Sequence, residues 1–200
     1  KQLTVSVPMT PVASNLATVI FKVAADNPVA GAQIVKGSTD VLLASFDIAN
    51  TNAATDVYVD NLTFTCHGCP ESNTNRDIVA INLFGVGGRV RQSFKNSLGP
   101  SFTTQFAPGE FLITKNGKIN LTFKVNTANV GNNPRGIYLE IKSVRILMPV
   151  GKEVVANLPI SSPALALIPP GFLVSSANKS NSVAIDGLGY CVVKNDASPV

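Results

Sequence analysis

The chain has no tryptophan, a single histidine, three cysteines and few charges: Asp, Glu, Lys and Arg make up 14% of its 200 residues, against roughly a quarter in an ordinary soluble domain. Each scarcity argues against a class of function. His67 is the only imidazole, so a Ser or Cys nucleophile has one side chain to serve as its usual base, and no G-x-S-x-G elbow is present. The glycine-rich run FGVGGRV, Phe84 to Val90, lacks the Lys and helix of a phosphate loop; turns with positive φ account for Gly85, Gly87 and Gly88. Without tryptophan, and with tyrosine only at positions 58, 138 and 190, the chain is poorly equipped with the aromatic platforms of a sugar-binding module. No apolar run reaches the ~18 residues of a membrane span; the longest low-charge stretch, Leu158 to Ser176, is broken by Pro159, Pro163, Pro169 and Pro170. The 16 basic residues are scattered. Arg89 and Arg91 flank Val90 as the outward face of a strand would, unlike the Lys/Arg stripes with interleaved aromatics that mark nucleic-acid sites. We expect neither a nucleic-acid partner nor a membrane span, no catalytic residues, and no cofactor or metal.

What is present is uncharged polarity. Nineteen Asn, 16 Ser and 14 Thr clothe a chain long enough to bury its own core without metals or disulfides. A surface so poor in ions is left with contiguous apolar patches, which mark places where another chain sits. The composition is that of an assembly subunit whose partners are copies of itself.

Apolar residues alternate with polar ones almost throughout, and no dozen residues carry an apolar stripe at helical spacing, so the chain is all-β. Strands are expected over Thr18 to Val23, Val41 to Ile48, Asp56 to Cys66, Ile78 to Phe84, Ile137 to Met148 and Val183 to Val193. In FLITKNGKINLTFKV, Phe111 to Val125, the dipeptide Asn116-Gly117 predicts a two-residue hairpin that sets Leu112 opposite Leu121, with Ile119, Leu121 and Phe123 facing the core. Two strands change phase: Val57 and Val59 give way to Leu62, Phe64 and Cys66, and Ile137, Leu139 and Ile141 to Val144, Ile146 and Met148. Because a one-residue slip turns every later side chain over, a bulge is expected near Asp60-Asn61 and another near Lys142-Ser143. Loops are expected at Pro70 to Arg76, Ser97 to Glu110 and Asn129 to Gly136.

The segment TCHGCP, Thr65 to Pro70, holds the histidine and two of the cysteines. Haem attachment needs the histidine directly after the second cysteine, whereas His67 lies inside the pair. Redox C-x-x-C motifs open helices, and this one ends a strand. Zinc would have to gather Cys66, His67, Cys69 and Cys191 with two adjacent ligands, against normal spacing. Crosslinking in an oxidising space is left, either Cys66 to Cys69 or one of them to Cys191. The long bridge is the expectation; it would close more than ~120 residues and contribute up to ~4–5 kcal/mol. Asp26, Asp40, Asp47 and Glu71 have no spacing that specifies a calcium loop. Asp56 and Asp60 share a strand face ~13 Å apart.

Leu3 to Ser6, Thr10-Pro11, Val35 to Phe46, Asp56 to Phe64 and the stretch LITKNGKINLTFKVN resemble a module of large bacterial and archaeal surface proteins. The resemblance covers about two-thirds of the chain and implies an immunoglobulin-like or jelly-roll-like two-sheet β-sandwich outside the cell; its motifs specify turns and core faces and no chemistry. This sequence departs from the pattern by some 20 additional residues, Ala13 to Ala32. On such a tether the leading strand LTVSVPM, with Leu3, Val5 and Val7 on one face, can pair with a neighbouring subunit by strand addition. Repeated head to tail, that exchange gives a filament.

The expected organisation is an N-terminal strand over 1–12, a tether and first strands over 13–35, a sandwich core over 36–150, and a proline-rich closing segment over 151–200. The first residue is Lys1, as in a mature form after leader removal. Triplets for N-glycosylation at Asn61, Asn120 and Asn178 accord with export. The expected function is that of a structural subunit of an extracellular surface filament or pilus-like fibre; a viral capsid subunit and a surface adhesion or carbohydrate-binding module are the alternatives.

Overall fold

The structure, a computed structural model, describes residues 17–69, 77–85, 90–95, 101–131, 133–147, 153–171, 183–185 and 191–193. In chain order the strands are β1 (Ala17–Val23), β2 (Gln33–Val35), β3 (Val41–Asn50), β4 (Val57–His67), β5 (Ile78–Phe84), β6 (Val90–Lys95), β7 (Ser101–Gln105), β8 (Leu112–Ile113), β9 (Lys118–Thr127), β10 (Arg135–Leu147), β11 (Glu153–Ala156), β12 (Ile160–Ser161), β13 (Leu165–Ile168), β14 (Val183–Ile185) and β15 (Cys191–Val193). They form a six-stranded sheet in the order β11-β1-β3-β9-β5-β6 and a seven-stranded sheet built on β2-β13-β10-β4-β7, with β12 beside β10 and β8 beside β4. β14 and β15 pair as a separate antiparallel ribbon.

The order reveals the class of sandwich. Taking β1, β3, β9 and β5 as strands A, B, E and D, and β13, β10 and β4 as G, F and C, the sheets reproduce the ABED and GFC sets of the immunoglobulin fold, every neighbouring pair antiparallel. Two parallel pairings extend them: β11 along β1 and β2 along β13.

One core joins the layers. Inward residues alternate along β9, where Ile119, Leu121, Phe123 and Val125 are buried, while β13 is buried throughout. Phe64 of β4 is the hub: its ring lies 5.0 Å from Phe123 and 5.0 Å from Phe94 in the opposite sheet, and 5.1 Å from Phe102 beside it. Such offset and edge-on contacts add to the area that the rings bury.

Both expected bulges are present, and they lie in one strand pair. Between β4 and β10, Ile141 is opposite Phe64 and Ser143 opposite Thr63, leaving Lys142 as the extra residue; Arg145 is opposite Asn61 and Ile146 opposite Val59, leaving Asp60 as the extra residue. Each strand changes phase once, so buried Leu62 meets half-buried Val144, and buried Val59 meets buried Ile146.

The hairpin at Asn116-Gly117 is not formed. β8 pairs with β4 in one sheet while β9 pairs with β3 and β5 in the other. The turn chemistry is real, with Asn116 at φ 53° and Gly117 N donating to Thr114 O. Its remaining bonds go to the start of the β3–β4 connection, Asn116 N to Asn52 O and Asn50 N to Gly117 O. Buried Asn50 adds amide bonds to Ile113 O and Thr114 O, both 3.3 Å. The dipeptide thus turns the chain from one sheet into the other.

The strand expected over Thr18 to Val23 is β1, paired on both sides within the segment assigned to tether and first strands. Two further expectations change. The loop expected over Ser97 to Glu110 contains β7, in which Phe102 and Thr104 face the core. The strand expected over Val183 to Val193 is two short strands, β14 and β15. Beyond residue 150, β11 joins the first sheet while β12 and β13 join the second, so that segment wraps from one layer to the other.

Candidate functional site

The histidine–cysteine segment sits where β4 ends. Gly68 takes φ +76° and lies so close to the start of β10 that a Cβ there would be 2.0 Å from Gly136 O. This fold-back leaves the Cα atoms of Cys66 and Cys69 5.5 Å apart, and they form a disulfide, at a separation ordinary for such bonds. The crosslink therefore closes a tight four-residue loop and not the long bridge to Cys191 expected from the sequence. A zinc set would need the thiolates that this bond consumes. His67 stacks on Tyr138, its opposite number across the strands, with ring centroids 4.3 Å apart, and its Nε2 lies 2.9 Å from Glu140 Oε2. Among the described residues no hydroxyl or thiol is hydrogen-bonded to the imidazole, so the pair acts as a surface brace on the β4–β10 ladder.

A second polar cluster joins the two sheets. Lys36, at the end of β2, and Asp77, before β5, are both buried. Lys36 Nζ lies 3.1 Å from Asp77 Oδ2 and donates to the carbonyls of Val130, Gly131 and Asn133 at 3.0–3.2 Å. Asp77 Oδ1 accepts from Arg135 Nη2 at the start of β10. A buried ion pair persists where its remaining hydrogen-bonding capacity is met, and here it clasps β2, β5, β10 and the loop after β9. No local pattern announces this cluster, because its members, Lys36, Asp77 and Arg135, are far apart in the chain and meet only through the fold.

The other carboxylates are dispersed. Asp56 accepts from Lys115 N, Asp60 lies 3.6 Å from Arg145 Nε, Asp47 accepts from Asn120, and Asp40 lies 3.5 Å from the Asn82 amide. No group of three or more metal-ligating side chains occurs among the described residues.

Of the glycosylation candidates, Asn120 commits its amide nitrogen to Ser45 Oγ at 2.8 Å and Asp47 Oδ1 at 3.1 Å. Asn61 lies inside β4, between Arg145 and Gln105. Asn178, like the strand-exchange candidates Leu3, Val5 and Val7, lies outside the described residues.

Exposed apolar surface and sheet edges are the features suited to another chain. Leu112 and Leu147 are both exposed and both lie opposite Tyr58, forming a row across β8, β4 and β10. At the ends of the two described strand paths, β6 carries Arg91 and Lys95, β11 carries Glu153, and β2 has only three residues, while β8 and β12, beside β4 and β10, have two each. β7, SFTTQ, has no charge, proline or glycine. Phe106 N donates to Asp60 O, so the backbones of residues 102 and 104 also turn to β4 while those of Ser101, Thr103 and Gln105 turn outward.

No family model and no curated protein matches the chain. Among solved structures, similarity is found to the protein of "AvmM Catalyzes Macrocyclization in Alchivemycin A Biosynthesis", at 13% identity over 80% of this chain and 93% of that one, with a TM-score of 0.39. A PapD-like domain, number 7, of human CEP192 is similar at 12% identity over 84% of this chain and 95% of that one, with a TM-score of 0.26. Likenesses this slight carry no argument about function.

Proposed function

We propose that the chain is a structural, self-associating subunit of an extracellular surface filament, joined to its neighbour by donation of the strand Leu3–Val7. One observation carries the reading: residues 17–171 already supply complete ABED and GFC sheets, so the alternating segment LTVSVPM is additional to a finished sandwich. Three features accord with it. The surface is poor in charge, the Leu112–Tyr58–Leu147 row is an apolar patch of the kind that marks contacts, and the Cys66–Cys69 disulfide suits an oxidising compartment.

Removal of residues 1–9 tests the proposal. The intact chain should form threads in negative-stain images and sediment as polymers, and the shortened chain should be a soluble single subunit. Polymers that survive the deletion would exclude the leading strand as the linker. Closed shells formed by the intact chain would favour a capsid subunit, and isolated globules at high concentration would remove the case for assembly.

A further inference from the structure

We infer that the acceptor for the donated strand is the outer edge of β7, where Leu3–Val7 of a second copy lies against Ser101–Gln105; this rests on the strand-donation reading above. The slot beside β3 is filled by β1, itself flanked by β11, so a donor adds to a sheet edge and does not fill a gap in the core. Edges exposed to solvent are ordinarily blunted by charge, proline or brevity. β6, β11 and β2 carry such protection, while β7 does not. Its outward groups belong to Ser101, Thr103 and Gln105, all exposed, and no described strand pairs with them. The lengths suit one another, five residues in β7 and five from Leu3 to Val7, paired one residue out of step so that Leu3, Val5 and Val7 share the face of Phe102 and Thr104.

The side chains agree as well. Phe94, on edge strand β6 of the opposite sheet, packs 5.2 Å from Phe102 of β7 yet is only half-buried. A strand added beside β7 continues the pleat, so its inward set, Leu3, Val5 and Val7, extends the layer of Phe102 and Thr104 and covers the open side of Phe94. Thr4 and Ser6 then lie outward beside Thr103, which already shares a hydroxyl contact of 2.9 Å with Thr63.

The test is Thr103→Pro in the full chain. Proline removes one outward N–H and is tolerated on an edge strand whose N–H faces solvent; Thr103→Lys, which charges the same edge, guards against misfolding of the first variant. Both should melt as folded proteins by circular dichroism, yet associate at least about tenfold more weakly than the unaltered chain by sedimentation. Undiminished polymers from folded Thr103→Pro and Thr103→Lys, alongside loss of polymers on removing residues 1–9, would overturn the β7 assignment while leaving strand donation standing. An unaltered chain that fails to polymerise would overturn both. A cysteine pair on the outward face, Thr4→Cys or Ser6→Cys with Thr103→Cys, should give an intermolecular crosslink in polymers; its absence from both pairs counts against the assignment.

Discussion

Removing the Asp77 carboxylate should be among the most damaging single changes in the molecule. Its Oδ2 lies 3.1 Å from Lys36 Nζ, its Oδ1 binds Arg135, and Asp77 and Lys36 have side chains only 4% and 3% exposed. At an effective dielectric near 20, opposite charges at that separation attract by about 5 kcal/mol, part of which is offset by the cost of drying both ions. Truncation leaves that cost without the attraction, and breaking buried pairs in this way costs about 3–5 kcal/mol. For a chain of this size Asp77→Ala should lower the melting temperature by roughly 6–20 °C, measured by circular dichroism with urea titration alongside. Combining it with Lys36→Met should restore part of the loss, because the uncompensated ammonium is then gone. High salt should change the loss little, since buried pairs are poorly screened. A cost below about 1 kcal/mol, the range of exposed pairs, would show that water reaches the cluster and that the clasp described above does not hold the sheets together.

Two further predictions concern the end of β4. Replacing Cys66 and Cys69 together by serine should cost about 2 kcal/mol in urea titrations, the value for a four-residue loop; a loss of ~4–5 kcal/mol would instead indicate a bridge to Cys191. Gly68→Ala should cost at least about 1–2 kcal/mol from its left-handed backbone alone, with more from the contact at Gly136 O; an unchanged unfolding midpoint would refute the fold-back geometry.

The long strands β4, β9 and β10 were legible because the alternation along them is the direct trace of a half-buried sheet, whereas β3 and β5 each bury four consecutive residues, Leu43 to Phe46 and Ala80 to Leu83, and were legible from their apolar content. The bulges at Asp60 and Lys142 were legible as breaks in the alternation of β4 and β10. Where a signal was local and its meaning was not, the sequence misled. Asn116-Gly117 specifies a turn, but whether the strands it joins pair with each other is decided by competitors far along the chain, here β4, β3 and β5. Short strands such as β7 and β8 offer two or three alternating residues, too few to separate from loop. The clasp of Lys36, Asp77 and Arg135 was invisible because burial of a charge leaves no mark in the linear pattern, and the disulfide pairing followed from a glycine fold-back that spacing does not encode.

The two extra residues in the β4–β10 pair carry a consequence for lineage. At exposed Lys142 the ladder opposes two residues to one, so losing that position straightens the strand and every interior contact keeps its partner. Elsewhere in β10 the same loss would invert the remaining alternation and drive oily side chains into water. Natural length variants of this strand should therefore differ at that one spot, and a designer wishing to shorten it has a ready-made place to cut.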